Sequence, residues 1–302
     1  MNTAVKLCGH TLKNPIMTAS GTFGFGREYD EFYDIGKLGG IVGKGLTLAP
    51  REGNDGVRIA ETPSGILNCV GLQNPGVEYF IENELPFMKS KGTVVVANVA
   101  GSTVSDYERI VERLSSTDVD MIELNISCPN VKSGGMAFGV LPSGVEEVTR
   151  AVRAKCGKPL IVKLSPNVAN IADNARAAEN GGADAISLIN TITGMAVDLG
   201  TRKPLLGNVT GGLSGPCVKP VALRMVRQAY KAVSVPVIGL GGIESAEDVL
   251  EFMLCGATAV QVGTANLHDP YAALRIADDL TNAMKKYKIT DVNEVIGALI
   301  EG

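Results

Sequence analysis

The residues best placed to do chemistry lie in one octapeptide, Glu123-Leu124-Asn125-Ile126-Ser127-Cys128-Pro129-Asn130. The run from Met121 to Ile126 reads as a buried strand, and Pro129, with no N–H and a fixed φ, ends it. The tip of that strand carries Asn125, Ser127, Cys128 and Asn130, and a glycine-rich loop with Gly134, Gly135 and Gly139 follows. A free thiol has a pKa of about 8.5, so roughly a few per cent is thiolate near neutrality, and nearby lysines raise that fraction. Cys128 is therefore placed to take a proton. Cys8, Cys156, Cys217 and Cys255 read as small buried hydrophobes, the usual fate of a free cysteine, and Cys69 fits either reading.

Two lysines and five asparagines extend the set. Lys44 sits in Gly43-Lys44-Gly45, and Lys163 ends the run Leu160-Ile161-Val162-Lys163. An ammonium directly after a buried apolar run is costly unless it meets an anion; the alternative is a side chain that snorkels to water. The pair points to negative charge on a ligand, either a carboxylate or the reduced form of a conjugated ring. Asn68, Asn98, Asn125, Asn130 and Asn190 each offer a donor and an acceptor. Singly they are turn or cap residues, but together they suit a planar amide or imide such as a pyrimidine. Gly239-Leu240-Gly241-Gly242-Ile243 and Gly263-Thr264 end two successive apolar runs. This matches the phosphate site after the last two strands of a barrel, where bare backbone N–H groups at a helix N-terminus hold the anion. Glu244 stands where a dinucleotide fingerprint needs its third glycine, and Gly21, Gly24 and Gly26 come in the wrong order, so no nicotinamide site is read here.

Eight apolar runs must position these groups: Pro15 to Ala19, Gly40 to Gly43, Val94 to Ala100, Met121 to Ile126, Leu160 to Leu164, Ala185 to Ile189, Pro236 to Leu240 and Ala259 to Val262. Continuous apolar runs bounded by Gly, Pro and Asn suit parallel strands covered on both faces. Helical patterns lie between them. Val218, Val221, Ala222, Met225, Val226, Ala229 and Val233 step at three and four and form one stripe. Ser143 with Glu146 reads as a capping box, Ser245 as a helix cap, and Asp269-Pro270 as an N-cap with proline at the first helical position.

The alternation predicts a (β/α)₈ barrel of the TIM type, an α/β fold; a doubly wound open sheet is the alternative. Nearly every run ends in a functional-looking residue, and in a barrel those C-terminal ends converge on one mouth, which favours closure. The long connection from Thr47 to Thr93 is expected to fold over the mouth as small strands and a helix. The segment from Thr191 to Pro216 is also long. With no linker or repeat in view, the expectation is a single barrel domain over residues 1–302.

Composition limits the partners. The chain has 302 residues, 45% hydrophobic and 20% charged, and can bury a full core without metals or disulfides. Its net charge of −4 offers no basic field for nucleic acid or an anionic membrane. No apolar run reaches the roughly 18 residues of a membrane span, so a cytoplasmic protein is expected. Six scattered cysteines without a CxxC speak against zinc or an iron–sulfur cluster on this chain. With only His10 and His268 present, acid–base chemistry rests on Cys, Lys, Asp or Glu.

Asn125-Ile126-Ser127-Cys128-Pro129-Asn130, together with Lys44-Gly45, Asn68-Cys69-Val70-Gly71-Leu72, Asn190-Thr191 and Gly241-Gly242, resembles the dihydroorotate dehydrogenases from about Leu12 to Asp269. That resemblance implies an FMN-binding (β/α)₈ barrel that oxidises dihydroorotate to orotate in pyrimidine biosynthesis. Cysteine at 128, where the membrane-associated class carries serine, implies class 1. The loop Val131 to Gly139 is similar to class 1B, whose catalytic chain works with a partner carrying FAD and a 2Fe–2S cluster that passes electrons to NAD. Two catalytic and two electron-transfer chains would make the complex.

The resemblance implies that FMN is held by Ser20, Lys44, Gly45, Asn98, Asn125, Lys163, Ile189 and Gly215, with Gly241, Gly242, Gly263 and Thr264 on its phosphate. Lys44, Asn68, Cys69, Val70, Gly71, Leu72, Asn125, Asn130, Asn190 and Thr191 would hold the substrate, and Cys128 would be the base. The alternatives are the fumarate-using class 1A, another FMN barrel acting on dihydropyrimidines, a flavin-free barrel on the same phosphate site, and a non-catalytic binding subunit. A reductase acting on RNA dihydrouridine is opposed by the acidic balance.

Overall fold

The computed structural model describes residues 1–127 and 138–301. Each of the eight apolar runs forms a strand: β1 (Ile16–Thr18), β2 (Gly40–Val42), β3 (Val94–Val99), β4 (Met121–Asn125), β5 (Leu160–Lys163), β6 (Ala185–Leu188), β7 (Val237–Leu240) and β8 (Ala257–Val262), the last starting two residues before its run. All eight pairings are parallel, and β8 returns to β1, so the sheet closes into a barrel. Closure excludes the doubly wound open sheet. Residues such as Val95, Val96, Ile122, Leu124, Ile161 and Val162 are fully buried, as strands enclosed on both faces require.

Helices follow the strands: α1 (Leu85–Ser90), α2 (Val104–Ser115), α3 (Pro142–Arg153), α4 (Ile171–Asn180), α5 (Lys219–Tyr230), α6 (Ala246–Leu254) and α7 (Ala272–Lys286). The stripe read in the sequence is the buried face of α5, with Ala222, Met225, Val226 and Ala229 inside. Ser245 caps α6 as expected, accepting from Asp248 N–H at 3.1 Å. Two helix starts differ from expectation. Ser143 and Glu146 form no capping box, because α3 begins two residues earlier than that cap would place it, on Pro142 with Leu141 as its cap. Proline needs no N–H partner there, so it takes the first position and moves Ser143 into the first turn. The regular turns of α7 begin at Ala272, although the Asp269 carboxylate does accept from Tyr271 N–H at 2.9 Å in the turn leading in.

A hairpin of Val5–Leu7 and His10–Leu12 packs against β8 near the N-terminal strand ends. The opposite end is covered by the two long segments. The segment from Thr47 to Thr93 supplies strands Ile59–Thr62 and Gly65–Asn68 and a helical stretch leading into α1. The later segment supplies Ile192–Gly194 and Gly211–Ser214. These four strands pair antiparallel into one small sheet, with Gly65–Asn68 against Gly211–Ser214 at its centre.

Candidate active site

Between the C-terminal strand ends and this small sheet lies a cavity of about 270 Å³. It gathers residues from distant parts of the sequence. Of the expected cofactor residues, Ser20, Lys44, Gly45, Asn98, Asn125, Lys163, Ile189, Gly241, Gly242, Gly263 and Thr264 line it. Gly215 does not; it sits just behind the lining, its carbonyl where a Cβ on Gly242 would come within 2.8 Å. Of the expected substrate residues, Asn68, Val70, Gly71, Leu72, Asn190 and Thr191 line the same cavity. Cys69 is not among the lining residues, although its neighbours Asn68 and Val70 are. Its side chain is 2% exposed and packs with Leu67 and Leu206, because alternate residues leaving a strand face opposite ways. Cys128, Asn130 and the loop from Val131 to Ala137 lie outside the described residues.

Barrel register explains the floor. On β4, Glu123 and Asn125 are two apart and so face the same side. Asn98 on β3 is registered with Glu123, Asn125 with Lys163, and Lys163 with Ser187 on β6. The fully buried Glu123 carboxylate accepts from Asn98 Nδ2 at 2.7 Å, Ser187 Oγ at 2.9 Å and Gln261 Nε2 at 2.6 Å, and Lys163 Nζ lies 3.8 Å away. Lys163 thus meets its anion within the protein, and the expectation that this lysine calls for a negative ligand is corrected to that extent. Glu123, Ser187 and Gln261 were not singled out in the sequence, although a carboxylate and a carboxamide inside otherwise apolar runs were the available signal.

Lys44 is different. It has no ion-pair partner among the described residues, and burial holds its pKa below the ordinary lysine range, with the positive charge of Arg58 adding to the effect. An anion beside Lys44 would offset both causes. A second cluster joins the ends of β4 and β6: Asn125 Oδ1 accepts from Ser127 Oγ at 2.8 Å and from Asn190 Nδ2 at 3.3 Å, and Asn190 Nδ2 also donates to Ser127 Oγ. Asn190 is further fixed by accepting Thr191 N–H at 2.8 Å.

After β7 the backbone turns at Gly241 (φ 127°) and Gly242 (φ 76°), conformations L side chains rarely adopt. A Cβ on Gly241 would also meet Ala222 at 2.9 Å. The N–H groups of Glu244, Ser245 and Asp248 are taken by the capping box of α6. The glycine turn and Gly263-Thr264 both line the cavity, and part of the α6 N-terminus is already engaged by its own cap. Thr264 Oγ1 donates to Ser214 Oγ at 2.8 Å, tying the end of β8 to the small sheet.

The dihydroorotate dehydrogenase family model matches residues 2–284. The chain belongs to that family. It is 56% identical over 298 residues to the dihydroorotate dehydrogenase B (NAD(+)) catalytic subunit of Alkaliphilus oremlandii, covering 99% of each chain. Identity is 57% over 289 residues to the protein of the same name from Parabacteroides distasonis, covering 95% of each, and 53% over 299 residues to that of Thermoanaerobacter pseudethanolicus, covering 99% of each. Among the described residues no helix is long and apolar enough to cross a membrane, and no group of three or more His, Cys, Asp or Glu could hold a metal ion.

Proposed function

We propose that this chain oxidises dihydroorotate to orotate as the catalytic subunit of an NAD-linked dihydroorotate dehydrogenase, acting through one FMN-binding barrel domain over residues 1–302. The observation that carries the reading is the convergence of Lys44, Lys163, Asn68, Asn98, Asn125 and Asn190 on one cavity beside the Gly241-Gly242 turn. Membership of the family supplies the reaction.

The residues present fit FMN. The buried acceptors Asn98 Oδ1 and Gln261 Oε1, both without partners among the described residues, suit the N–H and hydroxyl donors of such a ligand. The side-chain-free turn suits its phosphate, and the residues expected to hold it are Ser20, Lys44, Gly45, Asn98, Asn125, Lys163, Ile189, Gly215, Gly241, Gly242, Gly263 and Thr264. Bound FMN supplies a two-electron acceptor for the hydride that leaves C6 of dihydroorotate.

The chain does the rest. Cys128 takes the C5 proton, leaving the C5=C6 double bond of orotate once the hydride has gone. Lys44 pairs with the substrate carboxylate. Asn68, Val70, Gly71, Leu72, Asn125, Asn130, Asn190 and Thr191 fix the pyrimidine so that C5 faces the thiolate, a positioning effect. Lys163 would hold positive charge beside the flavin, where negative charge develops as the hydride is taken up.

Electrons leave for NAD through a partner chain carrying FAD and a 2Fe–2S cluster, in a complex of two catalytic and two electron-transfer chains in the cytoplasm. The names of the relatives, each a catalytic subunit, support a partner. So does the segment after Ile192–Gly194, where Met195, Val197 and Leu199 are 57%, 56% and 88% exposed; apolar side chains gathered this way suit burial against another chain. The test follows orotate formation by the purified chain. We expect turnover with an artificial acceptor, none with fumarate, and NAD reduction only when the partner is present. Turnover supported by fumarate alone would move the chain to the fumarate-using class.

A further inference from the structure

Glu123 lies in the middle of β4, does not line the cavity, and still touches three of the groups that do. A carboxylate can only accept hydrogen bonds. Asn98 and Gln261 must therefore each turn an NH₂ toward it, as they do at 2.7 and 2.6 Å, and each carbonyl oxygen is turned the other way. Those two oxygens, Asn98 Oδ1 and Gln261 Oε1, are buried and have no hydrogen-bond partner among the described residues. Asn98 Oδ1 is directed toward Gly45, so closely that a Cβ there would stand 2.9 Å from it. The remaining neighbours are Ser187 Oγ, a donor, and the Lys163 ammonium. Every group around Glu123 is thus held in one sense of donor and acceptor, and two buried acceptors are left without a partner among the described residues. A pair of charges that merely filled the barrel would not orient two separate amides the same way.

We infer that Glu123 is a positioning residue that sets the hydrogen-bond polarity of the cavity floor, presenting two carbonyl acceptors and one ammonium to the cofactor. The inference rests on the FMN reading above. It adds that the floor selects an N–H-bearing imide edge, with Lys163 held beside it at a charge balanced by Glu123.

Protein stripped of flavin is titrated with FMN and with 3-methyl-FMN, whose imide N–H is replaced by N–CH₃, following flavin fluorescence. Wild type is expected to bind 3-methyl-FMN at least roughly tenfold more weakly than FMN. In Glu123→Gln one amide at the floor must reverse to satisfy the new NH₂. FMN is then expected to bind roughly 10- to 100-fold more weakly, and the preference over 3-methyl-FMN to shrink about tenfold. The midpoint potential of bound FMN should rise, because Lys163 loses its counter-charge beside a ring that becomes anionic on reduction. A Glu123→Gln variant with unchanged preference and potential overturns the inference while the FMN reading stands. So does a wild type that binds both flavins equally, a comparison that decides the matter even if the variant does not fold. A stripped protein that takes up no FMN at all overturns the cofactor reading and the inference with it.

Discussion

The floor of the cavity comes from barrel strands and its roof from two long connections, and the two are balanced differently. On the floor Asn98, Glu123, Lys163, Ser187 and Gln261 sit on β3, β4, β5, β6 and β8, and the charge of Lys163 is answered by Glu123 within the protein. Its side chains are fixed before any ligand arrives. At the rim, Lys44 has no answering charge among the described residues and faces a roof of short antiparallel strands carrying Asn68 and Gly212. The contrast separates two tasks. A floor whose polar groups are held by one another suits a resident cofactor, and a rim with an unanswered cation suits an anionic substrate that comes and goes.

The largest expected effect is on the proton transfer itself. Cys128→Ala should lower turnover by roughly 10²–10⁴-fold, the usual worth of a general base, while the protein keeps its FMN. Loss of flavin, or turnover close to normal, would remove Cys128 from its assigned role. Lys44→Met should act most strongly at the rim, weakening orotate binding by roughly 10- to 100-fold, as for the loss of one charge-assisted hydrogen bond, with a smaller loss of FMN affinity, since Lys44 is also among the residues expected to hold FMN. Equal loss of both ligands would erase the division between floor and rim.

Titration of Lys44 sharpens the same point. A lysine held below its ordinary pKa is charged at lower pH and neutral above that lowered value, so wild-type affinity for orotate should fall as pH rises through it, earlier than an exposed lysine would allow. Lys44→Met should lack this limb when binding is followed across pH. The smallest effect is expected beyond the cavity: Ser245→Ala removes the cap of α6 and should cost about 1 kcal/mol in denaturant unfolding, with substrate affinity unmoved.

Much of this arrangement was legible in the sequence because parallel barrel strands are wholly buried. Runs such as Leu160-Ile161-Val162-Lys163 mark themselves by composition, and the polar residue at the end of each marks the mouth. The roof was legible only as a long connection that had to fold. Pairing Gly65–Asn68 with Gly211–Ser214 joins strands far apart in the chain, and neither carries a local signal for the other. Glu123 and Gln261 escaped notice because their neighbours made the runs read as apolar; what neutralises a buried carboxylate is set by barrel register, which no single stretch displays. In Asn68-Cys69-Val70-Gly71-Leu72 the alternation of side chains turns the Cys69 thiol into the small cluster under the roof, while its neighbours Asn68 and Val70 line the cavity.

The most direct test of the account is an anaerobic titration of the purified, flavin-loaded chain with dihydroorotate, following the visible flavin band. The account predicts that the band bleaches as dihydroorotate is added, with one orotate formed for each flavin reduced. A yellow protein whose band stays unchanged at saturating dihydroorotate would contradict it.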